Sequence, residues 1–344
     1  MIKINNFDAD RKLLKHHDKL DYFFNGHKTL IVTEFDLTNR CNNNCPSCCG
    51  VKENGAELSF EQIERVVDGL SRMNNRGVIL SGGGEPLMSA HFSHAVRLIR
   101  KSGMRIGLNS NGLALTEELC RLIAENCDYF RISLDAATPE LYERTHGMSA
   151  EAFCRVVDHA KMFSHIRNTV GSRTSFGIGY LTGPHTECDM ESFVVLAREC
   201  GADFAQFRPF TGYGFKIHDV SERIEEIQRK YATKSFRVIA SMQKYREMAS
   251  QGERNYASCR GMFFSTVVTA DAKLFACLHF RQDQRYFLGQ VDERTSVEDI
   301  FLSPRIREVF RSIRCEECPP LCRNDVFNRT LETLSLDVVN AEFM

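Results

Sequence analysis

The stretch Cys41-Asn-Asn-Asn-Cys45-Pro-Ser-Cys48 places three cysteines within eight residues, shortly after the apolar, β-branched run 30–33. Three thiolates can hold three corners of a 4Fe–4S cluster and leave its fourth iron open to a ligand that reacts. They can also belong to a zinc site that takes a fourth ligand from elsewhere, or be unpaired structural thiols. The rest of the chain has to distinguish these interpretations.

The composition argues against several classes of function. The 344 residues carry a formal net charge of −1, which gives no electrostatic basis for binding nucleic acid or a membrane surface. No apolar stretch is long enough to cross a membrane, and residues 1–8 lack the apolar core of a signal peptide. We therefore expect a cytoplasmic protein whose fourteen cysteines are metal ligands or buried thiols and not disulfides.

Strand-like and helix-like patterns alternate through the first two thirds of the chain. The predicted strands are 29–35, 78–81, 105–109, 130–134, 175–181 and 204–208. Helical patterns lie between them, and one opens with the capping box formed by Ser59 and Gln62. This alternation predicts an α/β fold, a partial (β/α)6 barrel, with functional loops at the carboxyl ends of its strands.

The pattern changes after the barrel. We expect an N-terminal extension at 1–28, the barrel core at 29–215 and a charged helical connector at 216–255. Runs 263–269 and 274–277 then predict a β-hairpin, and two short helices follow at 297–302 and 304–313. Residues 256–325 are thus predicted to form a smaller α+β domain, followed by a tail at 326–344.

A second motif, Gly82-Gly83-Gly84-Glu85, follows the second predicted strand. Glycines let a backbone approach a ligand closely, and a glutamate beside them can accept a hydrogen bond from an ammonium group. A glycine-rich turn alone is more often structural. Because this one lies on the neighbouring βα loop of the same sheet, we expect it to face the cysteine triplet.

Together these two motifs resemble those of the radical S-adenosylmethionine (radical SAM) superfamily. The resemblance implies that Cys41, Cys45 and Cys48 hold a 4Fe–4S cluster whose open iron binds the amino and carboxylate groups of S-adenosylmethionine (SAM). It also implies that Gly82, Gly83, Gly84 and Glu85 bind the methionyl amino group.

Polar residues at the ends of the next strands extend this resemblance. Asn109 and Asn111 end the third strand, where contacts to SAM are expected. Ser133 ends the fourth strand and Arg144 lies in the following helix, a loose match to the residues that bind the methionyl carboxylate in related enzymes. An Asn-Gly turn at 111–112 and a surface cation at Arg144 explain the same residues without a ligand.

The C-terminal part contains five further cysteines: Cys259, Cys277, Cys315, Cys318 and Cys322. Four thiolates can ligate a second iron–sulfur cluster or a zinc ion. The arrangement resembles the twitch and SPASM extensions of the superfamily. SPASM domains have seven cysteines, and they have a glycine at the position of Ala272. We therefore expect the twitch form with one auxiliary cluster. The expected ligands are Cys259, Cys277, Cys315 and Cys318, with Cys322 as a substitute.

The resemblance implies an enzyme that cleaves SAM reductively to a 5′-deoxyadenosyl radical, which abstracts a hydrogen atom from the substrate. We expect a small polar metabolite, such as a sugar, aminocyclitol or nucleoside, with a net oxidation as one outcome. A flavodoxin or ferredoxin would supply electrons. The alternatives are a maturase that crosslinks or epimerises a ribosomal peptide, and a non-catalytic zinc or iron–sulfur protein.

Catalytic residues are harder to predict from the sequence. In one dehydrogenating branch of the superfamily an aspartate follows the second auxiliary cysteine, but Leu278 and His279 follow Cys277 here. His279 is a candidate replacement for that base, although a lone histidine is more often structural. Gln206 and Arg208 end the sixth strand and are candidates to bind a hydroxyl, carboxylate or phosphate group.

Overall fold

A ten-stranded sheet runs through the molecule and positions every predicted motif. In the computed structural model, which describes residues 10–48, 50, 55–210, 219–242, 244–246, 254, 256–319 and 322–336, the strand order is β10-β9-β8-β1-β2-β3-β4-β5-β6-β7. The strands are β1 (Val32–Asp36), β2 (Gly77–Ser81), β3 (Arg105–Ser110), β4 (Tyr129–Ser133), β5 (Ser175–Thr182), β6 (Phe204–Pro209), β7 (Arg237–Ile239), β8 (Ser265–Val268), β9 (Lys273–Phe275) and β10 (Phe287–Gln290).

Helices connect the strands and flank the sheet. They are α1 (Asp10–Leu13), α2 (His17–Phe24), α3 (Phe60–Arg72), α4 (Phe92–Lys101), α5 (Glu117–Asn126), α6 (Pro139–His146), α7 (Ala150–Thr169), α8 (Met190–Glu199), α9 (Ser221–Tyr231), α10 (Val297–Leu302), α11 (Arg305–Ser312) and α12 (Arg323–Leu334). Among the described residues, none of the helices combines the length and apolar composition that crossing a membrane requires.

The parallel strands β1 to β6 form the predicted barrel core. Each pairs in parallel with the next, and every connection contains at least one helix. The capping box predicted at the start of α3 is present, since Gln62 N–H donates to Ser59 Oγ at 3.2 Å and Ser59 N–H donates to the Gln62 side chain at 2.9 Å. The predicted α/β fold is thus confirmed.

Strand β4 shows how the sheet separates an apolar face from a polar one. Phe130 and Ile132 are fully buried, and the Phe130 ring lies 4.6 Å from the Phe163 ring of α7. Successive side chains of a strand point to opposite faces, so Arg131 and Ser133 project away from the helices. Polar groups therefore collect on the inner face of the barrel, where a ligand would lie.

The C-terminal hairpin extends the same sheet. Strands β8 and β9 pair antiparallel, as the sequence predicts, but β8 also pairs in parallel with β1. The sequence gives no signal for this pairing, because it joins segments more than two hundred residues apart. As a result, the auxiliary cysteines lie on elements attached directly to the barrel.

Two predicted segments need correction. Within the described part of 216–255, helix α9 is followed by strand β7, which pairs with β6, so this stretch is not simply a helical connector. Arg237 interrupts its short apolar run and obscures the strand signal. The predicted boundary at 326 falls inside α12, whose Phe327 and Leu331 pack with Leu20 of the N-terminal extension. The N-terminal and C-terminal segments therefore contact one another.

Candidate active site

The glycine-rich loop lies against the loop that contains the first three cysteines. Gly84 N–H donates to the Thr38 carbonyl at 2.9 Å, and Glu85 N–H donates to the Arg40 carbonyl at 2.8 Å. A Cβ atom built on Gly84 would lie 2.1 Å from the Arg40 carbonyl oxygen, so only glycine permits this approach. The two motifs thus form one continuous surface at the carboxyl ends of β1 and β2.

Backbone donors surround the cysteine sulfurs. Asn43 N–H donates to Cys41 Sγ at 3.4 Å and Gly50 N–H donates to Cys48 Sγ at 3.3 Å. N–H···S bonds of this kind favour the thiolate form that iron–sulfur clusters require. The donor set and its surroundings therefore fit a cluster held by these three residues.

The same cysteines do not show the geometry of a site for one ion. Among the described residues, no three His, Cys, Asp or Glu side chains converge as ligands of a single metal ion would. A cluster differs in this respect, because each of its irons takes one thiolate.

Glu85 is buried and connects the glycine-rich loop to the end of β3. Its Oε1 accepts from Ser110 Oγ at 2.7 Å and from Leu87 N–H at 3.1 Å, and its Oε2 accepts from Asn111 N–H at 2.8 Å. Burial raises the pKa of Glu85, and these hydrogen bonds oppose the rise. A carboxylate has about four acceptor positions, so one remains for an ammonium group.

Asn111, which follows β3, contacts the cysteine loop. Its Nδ2 donates to Asn42 Oδ1 at 2.6 Å and lies 4.0 Å from Cys41 Sγ. The Asn109 Oδ1 oxygen is buried inside the barrel and accepts no hydrogen bond from the described residues. Both asparagines are thus placed where a polar ligand would find partners.

Ser133 and Arg144 occupy different environments. Ser133 is half-buried at the end of β4, on the inner face of the barrel. Arg144 is exposed on α6 and forms no ion pair with the described residues. The structure therefore records no contact between them, and their role in binding a carboxylate stays a prediction.

His146 is a site residue that the sequence analysis missed. Its ring is buried, its Nε2 donates to the Leu134 carbonyl at 2.8 Å, and its Nδ1 lies 3.2 Å from Cys45 Sγ. The following Gly147 has φ of 63°, and a Cβ there would lie 2.5 Å from the Asn44 carbonyl oxygen. The sequence signal that could have identified His146 is the His-Gly pair at the end of α6. Only the folded chain shows that this pair lies beside the cysteine loop.

The five C-terminal cysteines lie close together. Cys315 and Cys318 share a tight turn, in which Cys318 N–H donates to the Cys315 carbonyl at 3.1 Å. Burial raises the pKa of Cys259 to about 11, and the charges of Cys322 and Cys318 add to the rise. Burial and the charge of Cys322 likewise raise the pKa of Cys277. The charge of Cys322 thus acts on both Cys259 and Cys277, and the choice between Cys318 and Cys322 as a ligand stays a prediction.

Two amides face the sulfur of Cys259. Asn324 Nδ2 lies 3.8 Å and Asn328 Nδ2 lies 3.6 Å from Cys259 Sγ, and both asparagines belong to α12. Like the backbone donors at the first triplet, they favour a thiolate at this position. The C-terminal helix thus takes part in the auxiliary site.

Ala272 adopts the backbone conformation that glycine favours at this hairpin. Its φ is 59°, and its N–H donates to the Thr269 carbonyl at 2.9 Å in the turn between β8 and β9. The departure from the SPASM sequence pattern therefore leaves the turn geometry intact, at a cost of about 1–2 kcal/mol for a residue with a Cβ atom.

The three candidate catalytic residues lie on two elements: Gln206 and Arg208 on β6, and His279 in the short turn that follows Cys277. Gln206 is buried and accepts from Arg131 Nη1 at 2.7 Å, while Arg208 is half-buried further along β6. Burial, reinforced by the charge of Lys244, lowers the pKa of His279 to about 4. His279 is therefore neutral at pH 7 and is a weak proton acceptor.

Charged residues of β1 join the barrel to the auxiliary region. Asp36 Oδ2 accepts from Arg281 at 2.6 Å, and Glu34 pairs with both Arg281 and Arg323. Burial raises the pKa of Asp36 to about 7, although Arg281 opposes the rise. These pairs cross from β1 to the segments that contain Cys277 and Cys322.

Comparisons with known families identify both parts of the chain. Residues 35–194 match the model of the radical SAM superfamily, and residues 259–324 match the SPASM model, described as an iron–sulfur cluster-binding domain. The predicted superfamily and its cofactors, a 4Fe–4S cluster with SAM and auxiliary iron–sulfur binding, are thus confirmed. The C-terminal match is to the SPASM model, while the twitch form with one auxiliary cluster stays a prediction.

Individual relatives are more distant. Mycofactocin maturase MftC of Mycobacterium ulcerans is 31% identical over 136 residues, which are 39% of this chain and 37% of that protein. A probable GTP 3′,8-cyclase of Thermococcus kodakarensis is 25% identical over 77% of this chain and 90% of its own length. The match to the maturase thus spans little more than a third of that relative.

Solved structures share the fold at low sequence identity. Streptococcus suis SuiB bound to S-adenosylmethionine has a TM-score of 0.67 at 15% identity, covering 92% of this chain and 76% of its own. The protein anSMEcpe with bound AdoMet has a TM-score of 0.62 at 18% identity, covering 84% and 86%. The solved structures show a shared fold, and the two family matches show that the chain belongs to the radical SAM superfamily of enzymes and carries a C-terminal SPASM domain.

Proposed function

We propose that this enzyme cleaves SAM at a cluster held by Cys41, Cys45 and Cys48 and abstracts a hydrogen atom from a small polar metabolite. The observation that carries this proposal is the direct backbone hydrogen bonding between the glycine-rich loop and the cysteine loop. It gives a SAM molecule on the open iron a neighbouring surface of close-packed backbone. The bound cluster and SAM would supply the electron and the radical chemistry.

The chain's own residues bind and orient the cofactor. Glu85 has one acceptor position left for the methionyl ammonium group, and its hydrogen bonds to Ser110 and Asn111 fix its carboxylate. The hydrogen bond from His146 Nε2 to the Leu134 carbonyl fixes the imidazole ring, so that Nδ1 faces Cys45 Sγ. These contacts restrict the orientations that SAM can take at the open iron, which is the main contribution a protein makes to such chemistry.

The inner face of the barrel supports a small polar substrate. Arg131, Gln206 and Arg208 project there from β4 and β6, and Asn109 presents a carbonyl oxygen without a partner among the described residues. Such a lining suits hydroxyl, amino or anionic groups better than an apolar side chain. A sugar, aminocyclitol or nucleoside presents groups of this kind.

We further propose that Cys259, Cys277, Cys315 and Cys318 ligate an auxiliary cluster, with Cys322 as an alternative to Cys318. These residues would hold a cluster that would supply electron-accepting chemistry, which a net oxidation requires. Alternatively, the cluster would shape the substrate site without transferring electrons. A flavodoxin or ferredoxin is the proposed electron donor to the first cluster.

Peptide maturation is the second candidate. It is favoured by the 31% identity to a protein named as a mycofactocin maturase, although that match covers 39% of this chain. Incubating the reduced enzyme with metabolite mixtures and, separately, with peptides encoded near its gene distinguishes the two. Turnover of a peptide alone would replace the metabolite proposal.

The experiment that tests the proposal is anaerobic reconstitution with iron and sulfide, followed by reductant and SAM. We expect 5′-deoxyadenosine from the intact enzyme, detected by chromatography with mass spectrometry. A protein that binds zinc or iron–sulfur without catalysis would release none.

A further inference from the structure

One arginine side chain crosses the inner face of the barrel. Arg131 leaves β4, passes over β5 and donates from Nη1 to Gln206 Oε1 on β6 at 2.7 Å. A Cβ atom at Gly179 of β5 would lie 3.3 Å from Arg131 Cδ and 3.4 Å from its Nε. The glycine therefore leaves room for the guanidinium to lie flat across the strand.

The arginines at this position lack the acceptors that a structural ion pair would provide. The Nε atoms of Arg131 and Arg208 are both buried, and neither donates a hydrogen bond to the described part of the chain. Neither side chain forms an ion pair with any carboxylate of the described residues, whereas Arg281 of the C-terminal region pairs with Asp36 of β1. A buried guanidinium N–H without an acceptor is costly to keep unless a ligand supplies one.

The positive charges of Arg131 and Arg208 repel each other. Burial first, and the nearby charge of Arg208 second, lower the pKa of Arg131 to about 9, so it stays charged at pH 7.

The carboxylates near these cations have other partners, since Glu34 pairs with Arg281 and Arg323. Asp135 influences Arg131 only at a distance, and its Oδ1 accepts from Leu181 N–H at 2.6 Å. Tyr129 and Tyr245 are buried phenols whose pKa values burial raises, so they are neutral at pH 7. Arg131 and Arg208 therefore give this part of the inner face a positive charge.

We propose that Arg131 and Arg208 bind an oxyanion, a carboxylate or phosphate group, carried by the substrate. This proposal rests on the proposed function and narrows its substrate class to anionic metabolites. Guanidinium forks present parallel N–H donors that match the oxygens of either group. Binding would give both Nε atoms an acceptor and hold the substrate between the two cluster sites.

The test uses the anaerobically reconstituted holoenzyme and two probes, inorganic phosphate and succinate, in calorimetric titrations. We expect the unsubstituted enzyme to bind at least one of them, and the tighter probe identifies the substrate's group. Arg208→Gln should weaken that binding at least about tenfold, because it removes charge-assisted hydrogen bonds. The control is Arg311→Gln, at an exposed position on α11, which should change binding less than about twofold.

Three results would overturn the inference: no binding of either probe, equal binding by the two variants, or complete displacement of the probe by SAM. The last would assign the cations to the cofactor carboxylate. Circular dichroism of Arg208→Gln checks that the variant is folded, and Arg208→Lys, which keeps the charge, should recover part of the lost affinity. Formation of 5′-deoxyadenosine by the unsubstituted enzyme tests the proposed function separately, so that failure of one does not imply failure of the other.

Discussion

Replacing Gly84 by alanine tests whether contact between the two loops creates the SAM site. The added Cβ would lie 2.1 Å from the Arg40 carbonyl oxygen and 2.5 Å from the Asn39 carbonyl carbon, where ordinary contact begins at 3.4 Å. Both atoms belong to the backbone, so the glycine-rich loop must move by more than 1 Å relative to the cysteine loop.

The size of the effect follows from the hydrogen bonds that this movement breaks. They are the bonds donated by Gly84 N–H and Glu85 N–H, at 2.9 and 2.8 Å. Each is worth about 1 kcal/mol, and overpacking costs about 1–3 kcal/mol more. We expect the free energy of unfolding to fall by about 3 kcal/mol or more. The Kd for SAM should rise at least about tenfold, since a reduction of about 1.4 kcal/mol in binding free energy suffices.

The assay compares Gly84→Ala with Gly77→Ala in the reconstituted enzyme. A Cβ at Gly77 would lie 3.6 Å from its nearest neighbour, at the opposite end of β2. Thermal unfolding, iron content and SAM binding by equilibrium dialysis are measured for both variants. Equal SAM affinity for the two would refute the reasoning, because it would mean that the contact between the loops does not form the binding surface.

Three further predictions concern other parts of the site. Cys318→Ser and Cys322→Ser, each reconstituted separately, should differ in iron content, and the variant that loses about four irons identifies the auxiliary ligand; equal retention by both contradicts the four-cysteine assignment. Glu85→Ala should weaken SAM binding while leaving iron content intact, and unchanged affinity removes Glu85 from the site. Because the pKa of Asp36 is raised to about 7, the folded state holds its proton above the pH at which the unfolded chain releases it. This group should therefore lower the free energy of unfolding as pH rises from about 4 to 7, and Asp36→Asn should flatten that slope in denaturant titrations; parallel profiles would contradict it.

The sequence was sufficient where the information is local. The cysteine spacing, the glycine-rich motif and the capping box at Ser59 each depend on neighbouring residues, and the alternation of strands and helices predicts the barrel that the structure contains. The boundaries of the six barrel strands shift by only a few residues. Local patterns therefore identify the elements and the loops on which the site lies.

Contacts between distant segments could not be predicted in this way. The pairing of β8 with β1 and the position of α12 depend on long-range packing that leaves no periodic signal. The same holds for His146, which reaches Cys45 only because Gly147 packs on the cysteine loop. The path of the Arg131 side chain over Gly179 likewise depends on the register between β4, β5 and β6, which the sequence alone does not show.

The most direct test of the central assignment is SAM cleavage by the intact enzyme and by a variant in which Cys41, Cys45 and Cys48 are all alanine. With one auxiliary cluster, the intact enzyme should contain about eight irons and the variant about half. On addition of reductant and SAM, the intact enzyme should form 5′-deoxyadenosine and the variant should form none. Equal 5′-deoxyadenosine from both proteins, or none from an intact enzyme with its full iron content, would contradict the assignment.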